Sequence, residues 1–243
     1  MLMTEAAKKC VGVLGGLGPE ATVDFMAKVI AATPASSDQD HIHMLVDHKP
    51  TVPNRHAAIA GNAPSVGPEL AAMARGLEIA GADFLVMVCN TAHAFSQDIQ
   101  AAAGIPFISM IDVVLDAVRA QDARKVGVMA AEGCLRARLY QTALAAAGCE
   151  AILWSEAEQA TFMELVYRIK AGEREPDIGQ GISRLATSLV FDGAEILIAG
   201  CTEIPLFMDG HSAPAPLLAS TDLLVQHTVA LATGQIPLPT TLS

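Results

Sequence analysis

Short runs of unbroken apolar residues punctuate this chain at Cys10 to Leu14, Phe84 to Cys89, Ile105 to Ile108, Val126 to Met129, Ile196 to Cys201 and Ala215 to Leu218. Each is too short for a helix and shows no polar alternation, the pattern of a strand buried on both faces. Between them lie stretches rich in Ala, Leu and Glu with apolar residues at helical spacing: Pro19 to Ala32, Pro68 to Ala80, Ala92 to Ala103, Leu135 to Ala147, Ala157 to Ala171 and Ile178 to Val190. Buried strands alternating with helices predict α/β architecture, with parallel sheets covered on both sides.

The runs repeat. Lys9-Cys10-Val11-Gly12-Val13-Leu14 returns as Arg124-Lys125-Val126-Gly127-Val128-Met129, and Gly81 to Cys89 returns as Gly193 to Cys201. A third pair, Ile105-Pro106-Phe107-Ile108 and Ala215-Pro216-Leu217-Leu218, keeps the same order, all at offsets of 110 to 115 residues. Such periodicity marks a duplicated structural unit. The expectation is two pseudo-symmetric three-layer α/β domains: residues 1–112 with 218–243 returning to them, and residues 113–217. Ligands of parallel sheets lie beyond the carboxyl ends of the strands. Cys89 and Cys201 both fall there, which places an active site in the interdomain cleft with one cysteine on each side.

Composition narrows the partners. Hydrophobic residues make up 52% of the 243 positions, enough for a sizeable core, and no stretch reaches membrane-helix length. A net charge of −11 argues against nucleic acid or an anionic membrane surface, and requires local cations if the ligand is a carboxylate. Met1 to Lys9 lacks an apolar signal core, so a cytoplasmic location is expected. The five cysteines are odd in number, widely spaced and without CxxC, which predicts free thiols rather than disulfides or zinc ligands.

A lone strand-end cysteine is by default a small buried hydrophobe. Here it occurs twice, each time followed by residues able to cap a helix: Cys89-Asn90-Thr91-Ala92-His93 and Cys201-Thr202-Glu203-Ile204-Pro205. Helix-start N–H groups are expected to favour the thiolate. Two facing thiols suit racemisation or epimerisation, one removing a proton and the other delivering one to the opposite face. Gly12-Val13-Leu14-Gly15-Gly16-Leu17-Gly18-Pro19 turns from strand to helix, and Gly16 is a candidate for close backbone approach to a ligand. The glycines match neither a dinucleotide fingerprint nor a phosphate loop. His41, His43, His48 and Asp47 form a loose polar group, better read as an ordinary strand end than as a metal site.

Gly15-Gly16-Leu17-Gly18-Pro19-Glu20-Ala21-Thr22, Cys89-Asn90-Thr91-Ala92-His93 and Gly200-Cys201-Thr202-Glu203 together resemble the aspartate/glutamate racemase family, the aspartate racemase branch most closely. The resemblance runs in order over nearly the whole chain. It implies a pyridoxal-independent, metal-free, homodimeric racemase of an acidic amino acid, with Cys89 and Cys201 as its two bases. It also implies Arg55, in Val52-Pro53-Asn54-Arg55, and Lys170, in Tyr167-Arg168-Ile169-Lys170-Ala171-Gly172, as cations for the side-chain carboxylate. Asn90, Thr91 and Thr202 would hydrogen-bond the α-carboxylate, and Glu203 joins the substrate-binding set. Three positions differ from the branch: Asn54 where aspartate is common, Cys134 where threonine is common, and His48-Lys49-Pro50 where Asn-Pro is common. The alternatives are a racemase of glutamate or another amino acid, a cofactor-free decarboxylase or isomerase, and a non-catalytic carboxylate binder. The last leaves the paired thiols without a purpose.

Overall fold

The structure, a computed structural model, describes residues 8–240; most of the Met1 to Lys9 stretch read above therefore lies outside the described residues. The first half runs β1 (Val11–Gly15), α1 (Pro19–Ala32), β2 (Met44–His48), α2 (Arg55–Ile59), α3 (Gly67–Ile79), β3 (Phe84–Met87), α4 (Ser96–Ala102), β4 (Phe107–Ile108) and α5 (Met110–Arg119). The second runs β5 (Lys125–Ala130), α6 (Glu132–Arg136), α7 (Leu139–Ala146), β6 (Glu150–Ile152), α8 (Glu156–Lys170), α9 (Pro176–Phe191), β7 (Ile196–Gly200), β8 (Leu217–Ala219) and α10 (Ser220–Ala232). Two four-stranded sheets result, ordered β2-β1-β3-β4 and β6-β5-β7-β8, with every neighbouring pair parallel. This is the α/β fold with duplicated sheets that the apolar pattern predicts.

The duplication extends to individual packing contacts. A Cβ on Gly12 would lie 2.7 Å from Leu85, 2.9 Å from Ala82 and 3.1 Å from Leu77. On Gly127 it would lie 2.6 Å from Leu197, 3.0 Å from Ala194 and 3.2 Å from Leu189, the equivalents 112 residues on. Each glycine lets the helix before the next strand sit directly on the sheet. At the strand entrances, Asp83 accepts the Cys10 N–H at 2.7 Å, and Glu195 accepts those of Arg124 and Lys125 at 2.5 and 3.1 Å.

The two halves are tied by an exchange of helices. α5 follows a strand of the first sheet, yet Ile111, Val114, Leu115 and Val118 pack with Val126, Val128 and Ile198 of the second. α10 follows a strand of the second sheet, yet Leu224, Val225 and Val229 pack with Val11, Val13 and Phe84 of the first. Neither helix belongs to the six helical stretches expected from the sequence. Two of those stretches are also subdivided: Ala92 to Ala103 opens as a 3₁₀ turn, Thr91–Phe95, before α4, and Leu135 to Ala147 breaks at Arg138, the described non-glycine residue with positive φ, 55°.

Among the described residues no helix is long and apolar enough to cross a membrane.

Candidate active site

β3 and β7 deliver Cys89 and Cys201 to the same end of the molecule, where both line one cavity of about 270 Å³. The first half contributes Leu17, Val52 and Arg55 to its wall; the second contributes Val166, Lys170 and Glu203. Both cysteines are buried, at 8% and 6% exposure, and both line this cavity. Asn90, Thr91 and Thr202 line it as well, whereas Gly16 lines an adjoining cavity of about 240 Å³. The Gly16 N–H is already given to Thr22 Oγ1 at 2.9 Å. Leu17, Arg55, Lys170 and Glu203 form the partition shared by the two cavities.

Local capping explains how the cations are held. Asn54 is the N-cap of α2, its side chain accepting the N–H groups of His56 and Ala57 at 2.8 and 3.3 Å. Arg55, the next residue, turns its guanidinium back onto carbonyl oxygens of Val52, Pro53 and Leu17 at 3.1, 3.1 and 2.7 Å. Among the described residues no carboxylate lies within ion-pair distance of it. Lys170 closes α8, a helix started by a capping box between Ser155 and Glu158.

Lys170 is not free. Its Nζ pairs with Glu203 Oε1, and Glu203 Oε2 accepts hydrogen bonds from Cys201 Sγ at 3.0 Å and Thr202 Oγ1 at 3.3 Å. Burial opposes the Glu203 charge, but Lys170 and the Cys201 thiol outweigh it and hold the carboxyl below its ordinary value. Burial likewise opposes the Lys170 charge, and Glu203 outweighs it, so the ammonium is held above its ordinary value. At Cys201 burial and the Glu203 charge act together and push the thiol well above the ordinary range, with Lys170 only partly offsetting them. This corrects the expectation that helix-start N–H groups favour a thiolate at both cysteines. Cys201 leads into a 3₁₀ turn, Ile204–Leu206, and not into an α-helix.

The residues around Cys89 are fastened by a different set of bonds. Asn90 Oδ1 accepts the Tyr140 hydroxyl at 2.5 Å, and Asn90 Nδ2 donates to Ser220 Oγ at 3.0 Å, which in turn donates to the Ala199 carbonyl at 2.8 Å. The Asn90 side chain thus joins the two halves, leaving one Nδ2 hydrogen for a ligand. His93 Nε2 accepts the Met110 N–H at 3.0 Å, which places the ring proton on Nδ1, where it donates to the Cys89 carbonyl at 2.8 Å. Burial lowers the His93 pKa to about 4, keeping the ring neutral. Cys134 is fully buried in α6, away from the cavity wall, its thiol pushed up by burial and then by Cys89.

Sequence reasoning passed over His56. It lines the cavity, and its Nδ1 accepts the Gly133 N–H at 3.0 Å across the two halves, leaving the proton on Nε2. Burial, then Arg55 and Lys170, lower its pKa. Its place directly after the capped arginine was the available signal. His41, His43 and His48 stand around β2, and among the described residues no three metal-type side chains converge.

Two duplicated parallel-sheet halves, joined at a cleft that holds one strand-end cysteine from each, define a class of paired-thiol α/β protein. The sequence profile described as Asp/Glu/Hydantoin racemase matches residues 14–228, and the chain belongs to that family. It is 28% identical over 227 residues to the broad specificity amino-acid racemase RacX of Bacillus subtilis (strain 168), covering 90% of this chain and 96% of the relative. Among solved structures it resembles Picrophilus torridus aspartate racemase, with a TM-score of 0.83 at 24% identity over 93% of this chain and 94% of the other. Glutamate racemase of Francisella tularensis subsp. tularensis SCHU S4 matches with a TM-score of 0.70 at 17% identity, covering 94% and 82%. At these identities the structural likenesses establish the fold.

Proposed function

We propose that this protein is a cofactor-independent amino-acid racemase that interconverts L- and D-aspartate, with Cys89 and Cys201 as its two bases. The supporting observation is the pair of thiols from equivalent strand ends in one small cavity beside an Arg55 guanidinium that no described carboxylate neutralises. The thiolate of one cysteine takes the α-proton: the C–H bond breaks, an S–H bond forms, and the electron pair delocalises into the carboxylate. The other thiol gives its proton to the opposite face, so C–H forms as S–H breaks, and the two sulfurs have exchanged protonation states. Arg55 draws the substrate's side-chain carboxylate into a protein whose net charge of −11 would otherwise repel it. The same reading takes residues 1–112 with 218–243 as one lobe and 113–217 as the other, supported by α10 packing on the first sheet.

A second reading, racemisation across a wider range of amino acids, is supported by the Lys170–Glu203 pair. With Lys170 compensated, Arg55 is the one uncompensated cation among the described residues lining the cavity, which weakens the preference for a dicarboxylate substrate.

Incubation with L-aspartate in deuterium oxide, without added cofactor, decides between these. Loss of the α-proton resonance with growth of D-aspartate is the expected result, and C89A and C201A should each abolish it. Full activity in either variant overturns the two-base mechanism. R55A should raise the KM for aspartate by about 10- to 100-fold, the loss of a charged hydrogen bond, and affect neutral amino acids little. Equal turnover of neutral amino acids favours the wider reading; an inert panel sinks both.

A further inference from the structure

We propose that Glu203 is a positioning residue that keeps the proton on Cys201, so that the cysteine pair rests with a thiol at 201 and with Cys89 as the base. This rests on the racemase reading above and deepens it. Glu203 thereby leaves the substrate-binding set, and Lys170 becomes first the partner of Glu203 and only then an anchor for substrate.

The internal repeat supplies the argument. At the offset of 112 residues that superposes Cys89 on Cys201, Asn90 matches Thr202 and Thr91 matches Glu203. The halves share strands, glycines and sulfurs, but at the second residue after the cysteine one carries a hydroxyl and the other a buried carboxylate. A carboxylate only accepts hydrogen bonds, so the 3.0 Å contact between Cys201 Sγ and Glu203 Oε2 requires the proton on sulfur. A thiolate there would face a carboxylate at the same distance, both on buried residues. Among the described residues Cys89 Sγ makes no hydrogen bond of this kind. The other ionisable groups around Cys201 are Lys170 from α8 and Tyr140 from α7, with Cys89, Arg55 and His56 across the cavity. Tyr140 is held neutral by burial and His56 is held below its ordinary value, so Glu203 and Lys170 are the opposed charges nearest the sulfur.

The placement has a mechanistic consequence. The enantiomer that presents its α-proton to Cys89 meets the resting enzyme ready to react, while its mirror image needs the form with the proton moved from Cys201 to Cys89. The two directions therefore differ in the pH dependence of kcat and of KM taken separately, while their kcat/KM values stay equal, as an equilibrium constant of unity requires.

The test reads the Cys201 thiol directly, without turnover. In the C89A full-length protein, the rate of iodoacetamide alkylation at residue 201 is followed against pH by peptide mass spectrometry, with and without E203Q, E203D or K170M. With Glu203 in place the profile should rise only above the ordinary thiol pKa of about 8.5. E203Q should move it down by about one pH unit, giving about tenfold faster alkylation near pH 7.5. E203D should restore most of the protection, and K170M should move the profile upward. A structural disturbance moves the Gln and Met variants in the same direction. Superposed profiles for C89A and C89A/E203Q overturn the proposal. If E203Q does not fold, an unmoved or lowered profile in K170M overturns it equally. Because alkylation needs no substrate, these outcomes are separate from failure of the wild-type protein to racemise.

Discussion

The buried imidazole of His93 makes the fold sensitive to acid at the base of the active site. Its neutral ring receives the Met110 N–H and donates to the Cys89 carbonyl, joining the strand end that carries the sulfur to the start of the crossing helix α5. Protonation places a hydrogen on Nε2, opposite a backbone N–H that is itself a donor, so the bond to Met110 is lost. The folded-state pKa is about 4 and the unfolded value about 6.5. Because the folded value is depressed, the neutral ring's contribution is fully present above pH 6.5 and is lost as pH falls toward 4. At 1.36 kcal/mol per pKa unit the whole contribution is about 3 kcal/mol, of which about 2.5 kcal/mol is gone by pH 4.5. H93L removes the titration but leaves a buried carbonyl and a buried N–H unpaired, at a cost of about 2–5 kcal/mol near neutrality. Urea unfolding of wild type and H93L at pH 7.5 and 4.5 cancels the carboxylates common to both. The stability gap between them should shrink by about 2.5 kcal/mol on acidification. A gap that stays constant refutes the assignment of His93 as a neutral buried clamp.

Two further substitutions test the packing that frames the cavity. G16A should destabilise the fold by about 2–4 kcal/mol, because its φ is +79° and a Cβ would lie 2.5 Å from the backbone nitrogen of Lys49. G61A, at φ +77° with nothing within 4 Å, should cost only about 1–2 kcal/mol, and equal melting shifts would refute the steric part of the argument. Y140F leaves Asn90 Oδ1 without its buried donor and should cost about 1–3 kcal/mol. A double-mutant cycle with N90A should then show coupling above about 0.5 kcal/mol, and additive effects would exclude this hydrogen bond as the link between the halves.

The central strands β1, β3, β5 and β7 were legible because both faces are buried and the residues form unbroken apolar runs. The edge strand β2 was seen only as a strand end with polar residues: Met44 to Asp47 are half-buried and His48 is exposed, so its apolar run is the three residues Met44 to Val46. The crossing helices α5 and α10 escaped for a different reason. Each starts one or two residues after a strand, Met110 after Ile108 and Ser220 after Ala219, so strand and helix run together with only Ser109 or the opening Ser220-Thr221-Asp222 to mark the change. At the site, the cysteines, Arg55 and Lys170 were visible as residue types in short motifs. That Lys170 meets Glu203, 33 residues on, and that His56 meets Gly133, 77 residues on, depends on how the halves face each other. No local pattern carries that information.

Symmetry is kept in this molecule where packing demands it and broken where charge sits. Gly12 and Gly127 meet the same three neighbours, yet Thr91 and Glu203 differ at equivalent places beside the sulfurs. Racemisation has an equilibrium constant of unity, so substrate and product add no bias of their own. Any inequality between the directions then resides in the two protonation states of the cysteine pair. An uncompensated carboxylate 3.0 Å from Cys201 Sγ would repel the thiolate by several kcal/mol, on the order of 5 at an effective dielectric of 20, and would slow both directions, since each passes through that state. Lys170, seated on the other oxygen of the same carboxylate, offsets part of that repulsion. On this reasoning the lysine's pairing with Glu203 sustains two-way turnover: Glu203 sets a resting state, and Lys170 keeps the exchanged state within thermal reach.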